Sequence, residues 1–123
     1  MFDEDVTAAI LNDLSTSDSA EVRARVAENR LTPFSAILRL LHDDDPDVRL
    51  SLSYNPYLPR MILFQLANDE DPDLRYRLAE NENLPVLVLK LLSHDLNSQV
   101  ADRARESLAQ IAASKIVESE RAA

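Results

Sequence analysis

Asp45-Pro46-Asp47-Val48-Arg49-Leu50-Ser51-Leu52-Ser53-Tyr54-Asn55 is the stretch on which the fold turns. Twenty-six residues later Asp71-Pro72-Asp73-Leu74-Arg75 repeats its opening, and twenty-six before it stands Ser19-Ala20-Glu21-Val22-Arg23. A fourth copy, Asn97-Ser98-Gln99-Val100-Ala101, keeps the apolar position and loses the arginine. Ser19, Asp45, Asp71 and Asn97 are side chains that accept hydrogen bonds from the free N–H groups of a helical first turn. Pro46 and Pro72 suit N1, where a missing N–H costs nothing. Glu21, Asp47 and Asp73 set negative charge against the positive end of the helix dipole. Val48 and Leu52, four apart, share one helical face, as do Val22 and Val26, Leu74 and Leu78, and Val100 and Ala104. The spacing predicts a helix over about 46–54 and its equivalents.

Asn29, Asn55 and Asn81 stand where each such helix should stop. The chain has no glycine, so a left-handed residue after the helix falls to asparagine. The column is expected to cap in that way. An alternative use is an asparagine ladder that binds a peptide backbone.

A strand reading competes at the same place. Leu50-Ser51-Leu52-Ser53-Tyr54-Asn55 fits the core of a leucine-rich repeat, and Val48, Leu50 and Leu52 alternate as a strand would. The alternation breaks at Val100, Asp102 and Ala104. Arg23-Ala-Arg-Val-Ala-Glu28 and Arg75-Tyr-Arg-Leu-Ala-Glu80 consist mostly of helix formers, and the capping order favours a helix.

The second element of each unit begins near Pro33, Pro59 or Pro85, placed at N1, and ends near His42, Asn68 or His94. Leu11, Ile37, Leu63 and Leu89 form one apolar column, and Leu14, Leu40, Leu66 and Leu92 another. This element is short, and both α and 3-10 geometry fit it. The expected layout is a single domain of about 3.5 repeats. Residues 1–15 form an N-terminal cap of half a repeat, 16–97 three repeats, 98–118 a long capping helix, and 119–123 a frayed tail. Ser107 replaces the asparagine, and Val100, Ala104, Leu108 and Ile111 continue one face. Solenoids need such caps.

Apolar residues make up 46% of the 123, enough for a modest core. The absence of cysteine excludes disulfides and thiol chemistry. The acidic start and the short longest apolar stretch, Leu84 to Leu92, fit neither a signal peptide nor a membrane span, so a cytoplasmic protein without membrane contact is expected. The net charge of −9 opposes binding to nucleic acid.

Val22-Arg-Ala-Arg-Val-Ala-Glu-Asn29, Thr32-Pro33, Leu40-Leu41 and Asp45-Pro46-Asp47-Val48-Arg49 resemble the leucine-rich repeat variant family. The resemblance covers about residues 10–105, and Asp-Pro-Asp-Val-Arg is shared with HEAT-like repeats, including those of bilin lyases. It implies an all-α fold, a right-handed α-solenoid alternating α with short 3-10 or α helices. It implies no catalytic residues. The cysteine-ligated cluster segment of the family's founding type does not carry over to a chain without cysteine.

Arg23, Arg49 and Arg75 recur with Asp43, Asp69 and Asp95. They are expected to form a structural ladder rather than an anion site. Asp69-Glu70-Asp71-Pro72-Asp73 lacks the glycine of a calcium loop and reads as an acidic cap. His42 and His94, near helix C-termini, fit the dipole better than a metal. Columns that depart from the repeat toward large groups are the candidates for recognition. Tyr54 replaces Glu28 and Glu80, Tyr57 replaces Leu31 and Asn83, Phe34 stands against Arg60 and Val86, and Tyr76 against Ala24 and Leu50. Tyrosine and arginine are enriched at binding hot spots. Tyr54, Tyr57, Arg60, Phe34 and Tyr76 are therefore the expected partner-binding residues of a non-catalytic scaffold or adaptor, without cofactor or metal. The partner is another protein, with a basic surface given the charge. An accessory enzyme or chromophore-handling factor of the bilin-lyase type is the alternative, and a nucleic-acid binder the third.

Overall fold

The computed structural model describes residues 4–122, and among them eight α-helices and one 3-10 turn occur with no strand. The fold is all-α, and the strand reading of Leu50 to Asn55 is set aside. Residues 1–3 of the expected N-terminal cap and Ala123 of the expected tail lie outside the described residues. The chain divides into two compact units, Met1–Leu66 and Ala67–Ala123.

The first unit contains α1 (Glu4–Leu14), α2 (Ala20–Glu28), α3 (Phe34–Leu41), α4 (Pro46–Ser51) with a 3-10 turn at Leu52–Tyr54, and α5 (Arg60–Leu66). Helix α2 packs along α4 and the 3-10 turn, and α1 packs against α2 and α3. Val26, Ile37, Leu40, Val48, Leu52 and Ile62 form its core, each 4% exposed or less. Leu14 departs from its column. It is 40% exposed while Leu40 is fully buried, because it lies on α1, at the edge of the unit.

The second unit contains α6 (Pro72–Ala79), α7 (Val86–Leu92) and α8 (Ser98–Ala122). Helix α8 packs on both α6 and α7. Leu74, Leu78, Val88, Leu89, Leu92 and Val100 are buried between them. Helix α8 runs past the expected end at 118, and residues 119–122, expected as a frayed tail, are helical and exposed. Among the described residues no helix is long and apolar enough to cross a membrane.

The caps are the ones the repeat predicts. Ser19 accepts from the Val22 N–H, Asp45 from Asp47, and Asp71 from Asp73. Asn97 accepts from both Gln99 and Val100. Pro46 and Pro72 open their helices. Pro33 and Pro85 stand one place earlier than expected, in the N-cap position with extended ψ. There their carbonyls accept the first helical bonds, from Ala36 and Ile37 and from Val88 and Leu89. The second helices, α3, α5 and α7, are α throughout, with eight, seven and seven residues.

The 3-10 ending lies instead on the first helix of the second repeat. Ser51 donates its hydroxyl to the Asp47 carbonyl and Ser53 to Leu50. Such back-bonding competes with the helical ladder. The equivalent positions elsewhere are Arg25 and Ala27, and Arg77 and Ala79, which have no hydroxyl.

The asparagine column requires a correction. No described residue has positive φ. Asn29 and Asn55 are extended, with φ −81° and −78°. Each asparagine instead opens a tight turn: its carbonyl accepts from Thr32, Leu58 or Leu84, and its side-chain oxygen accepts from Leu31, Tyr57 or Asn83. Asn and Asp side chains favour this doubled turn. It reverses the chain without a left-handed residue, so the fold needs no glycine there.

Candidate functional site

The repeating charges are engaged inside the fold. Arg23 donates from Nε to Asp43 at 2.8 Å and from Nη1 to the Ser17 carbonyl at 2.7 Å. Arg75 repeats the pattern, to Asp95 at 2.8 Å and to the Asp69 carbonyl at 2.6 Å. Arg49 reaches the Asp43 carbonyl at 2.7 Å. Each arginine thus ties the turn before its own helix, and Arg23 and Arg75 also hold the acid twenty residues on. Asp43, Asp69 and Asp95 each accept from the backbone N–H two places ahead. Hydrogen bonding to Asp43 holds the Arg23 guanidinium above its already high ordinary pKa.

Burial pushes the Asp95 carboxyl pKa up, but the hydrogen bonds from Arg75 and the Asn97 N–H, with the Arg75 charge, outweigh it and hold it below the ordinary value. A lowered folded pKa stabilises the fold above the unfolded value, about 3.9 for aspartate. That stabilisation is lost as pH falls through the folded value. Acid is therefore expected to weaken the second unit. In thermal melts between pH 6 and pH 3, Asp95→Asn starts less stable than wild type and loses less on acidification.

Asn55 shows what the amide column does. It is 6% exposed. Its Nδ2 donates to the Ala27 carbonyl at 3.0 Å and the Asn29 carbonyl at 2.9 Å. Its oxygen meanwhile holds the Tyr57 N–H at 2.9 Å. Ser107, in the same column on α8, donates to the Ala79 carbonyl at 2.6 Å and is fully buried. A hydroxyl makes that bond from within a helix that continues to Ala122. Asn55→Ala leaves two carbonyls and one N–H without these partners, and is expected to destabilise by about 2 kcal/mol in chemical denaturation. Asn55→Asp is no milder, since it sets a carboxylate against two carbonyls.

The expected recognition aromatics lie outward. The connection that leads from the last residue of the 3-10 turn to α5 carries Tyr54, 56% exposed, and Tyr57, 66% exposed. Arg60 opens α5 and is exposed. The three fall within seven residues, on either side of the anchored Asn55. Pro56 follows the asparagine and favours its extended conformation. Phe34, 47% exposed, opens α3 in the column of Arg60. Tyr76 belongs to the other unit. It lies on α6, 37% exposed, in an open groove with Gln99, Asp102, Arg103 and Glu106.

Three residues were missed. Leu87 and Leu91 are 59% and 41% exposed on α7, and Leu96 in the following turn is fully exposed. The signal was present in the columns, where Leu96 replaces Asp44 and Glu70, and Leu91 replaces Arg39 and Gln65. Among the described residues no three His, Cys, Asp or Glu side chains are grouped as a metal site.

Comparison with protein-family models, with characterised proteins and with solved structures gave no match.

Proposed function

We propose that the chain is a non-catalytic scaffold, a right-handed α-solenoid of about 3.5 two-helix repeats that holds a partner protein through the connection bearing Tyr54 and Tyr57. The observation that carries the reading is the pairing of exposure with anchorage. Two tyrosines are more than half exposed on a connection whose central residue, Asn55, is buried and bonded to three backbone groups. A rigid aromatic loses little conformational entropy on binding, and tyrosine combines apolar area with a hydroxyl that takes a hydrogen bond. Arg60 and Phe34 extend the surface, and the net charge of −9 favours a partner with a basic face. The internal repeat supports the solenoid part of the reading, since units of this kind bury their faces on their neighbours.

The test is affinity capture from native extract with the full chain as bait, beside the same bait carrying Tyr54→Ala and Tyr57→Ala. A protein retained by the first and absent from the second supports the reading. Equal retention by both overturns it.

A further inference from the structure

The third repeat differs from the first on one outward face. Ser35, Met61 and Leu87 occupy one column, Arg39, Gln65 and Leu91 a second, and Asp44, Glu70 and Leu96 a third. Each passes from polar to leucine along the chain. Leu87 and Leu91 lie four apart on α7, hence on one face, and the fully exposed Leu96 joins Leu91 in lining an open groove of about 280 Å³. Ala67, Asn68, Arg75, His94 and Asp95 complete the lining.

The first unit contains the same groove in polar form. Arg23, His42 and Asp43 take the places of Arg75, His94 and Asp95 there, and Arg39 and Asp44 take those of Leu91 and Leu96. Arg39 donates to Ser15 and Asn12 across it. Helix α3 and the turn after it thus fold with polar residues at these positions, so folding does not call for the leucines of the third repeat. Exposed contiguous leucine is a liability for solubility unless something covers it.

We propose that this groove docks a short amphipathic helix of a partner protein, with two or three leucine-like anchors and a basic flank. Two observations argue for this occupant. The exposed surface of the three leucines is roughly 350 Å², the size of a functional patch on a monomer. It is well under the ~800 Å² per partner of a standard stable interface, which argues for a single helix in a groove and against a second copy of this chain. Between residues 67 and 123 eleven Asp and Glu stand against seven Lys and Arg, a net charge of −4. Glu70, two residues beyond the groove-lining Asn68, is exposed. Arg75 is already bonded to Asp95, so the groove's own arginine is not available to an acidic ligand.

Neither Tyr54 nor Tyr57 lines the groove, so its test is distinct from theirs. The probe is a fluorescein-labelled, stapled helical peptide of fifteen residues, with leucines at i, i+4 and i+7 and lysines on the opposite face, titrated into the full chain by anisotropy. Saturable binding is expected, at least tenfold weaker when glutamates replace the lysines. The variant Leu87→Ser, Leu91→Arg, Leu96→Asp transplants the residues of the first repeat and is expected to bind at least tenfold more weakly. If it fails to fold, Leu96→Asp alone decides. That change touches a fully exposed residue and adds negative charge, so a purely electrostatic binder would gain by it, whereas the proposal predicts a loss of several-fold. Equal binding to wild type and to the folded variants overturns the proposal. So does concentration-dependent dimerisation of the wild type that Leu96→Asp abolishes, since the occupant would then be a second copy. Tyr54→Ala with Tyr57→Ala leaves the peptide affinity unchanged, and a loss there would also count against it.

Discussion

Leu40→Ala is expected to destabilise the protein by about 3 kcal/mol, and Leu14→Ala by less than about 1 kcal/mol, although both leucines belong to one column of the repeat. Leu40 is fully buried in the core of the first unit and Leu14 is 40% exposed. Truncating a buried leucine removes the transfer free energy of its methyl groups and leaves a cavity that close-packed neighbours cannot fill. Truncating Leu14 removes contacts on one side only. In a chain of this length the larger loss corresponds to a fall in melting temperature of roughly 10 °C. Thermal melts of the two variants side by side check the difference. Equal losses would mean that Leu14 is packed as deeply as its column suggests.

The contrast also shows what the repeat carries. Where a residue type has one physical use at its position, the pattern was readable. Ser19, Asp45, Asp71 and Asn97 cap helices, and the prolines after two of them open those helices. The arginines and aspartates pair twenty residues apart at Arg23 and Arg75. Where two uses compete, the pattern was silent. Asparagine after a helix serves either as a left-handed residue or as an extended one whose side chain doubles the turn. In all three turns the side-chain oxygen accepts from the N–H two places on, and Asn55 adds a bond to the Ala27 carbonyl, distant in sequence. The 3-10 ending of the second repeat came from the hydroxyls of Ser51 and Ser53, a local competition that apolar periodicity does not register.

The candidate surfaces were legible to different degrees. Tyr54 and Tyr57 stood out because their columns elsewhere are Glu28 and Glu80, and Leu31 and Asn83. Within α7 itself Leu87 and Leu91 did not, because Val86-Leu-Val-Leu-Lys-Leu-Leu92 is nearly continuous apolar sequence, and the mark of Leu91 lay in its column, against Arg39 and Gln65. A short run of that kind has no polar face to show which side is buried. Packing of α7 against α8 buries Val88, Leu89 and Leu92 and leaves Leu87 and Leu91 outside.

Tyr54→Ala with Tyr57→Ala is expected to weaken partner binding by at least a hundredfold, since truncating one hot-spot tyrosine costs about 2 kcal/mol or more. The folding cost should be small. Neither side chain is buried, and the bonds that fix the connection run through the Asn55 side chain and the Tyr57 backbone N–H, which both substitutions keep. Surface changes of this kind usually fall within about 0.5 kcal/mol. The two quantities together separate recognition from stability. The decisive measurement is the dissociation constant of the captured partner for wild type and for the double variant, with the melting temperature of each recorded in the same buffer. The account predicts a loss of affinity of two orders of magnitude at an unchanged melting temperature; an unchanged affinity, or a loss that merely follows a collapse in melting temperature, would contradict it.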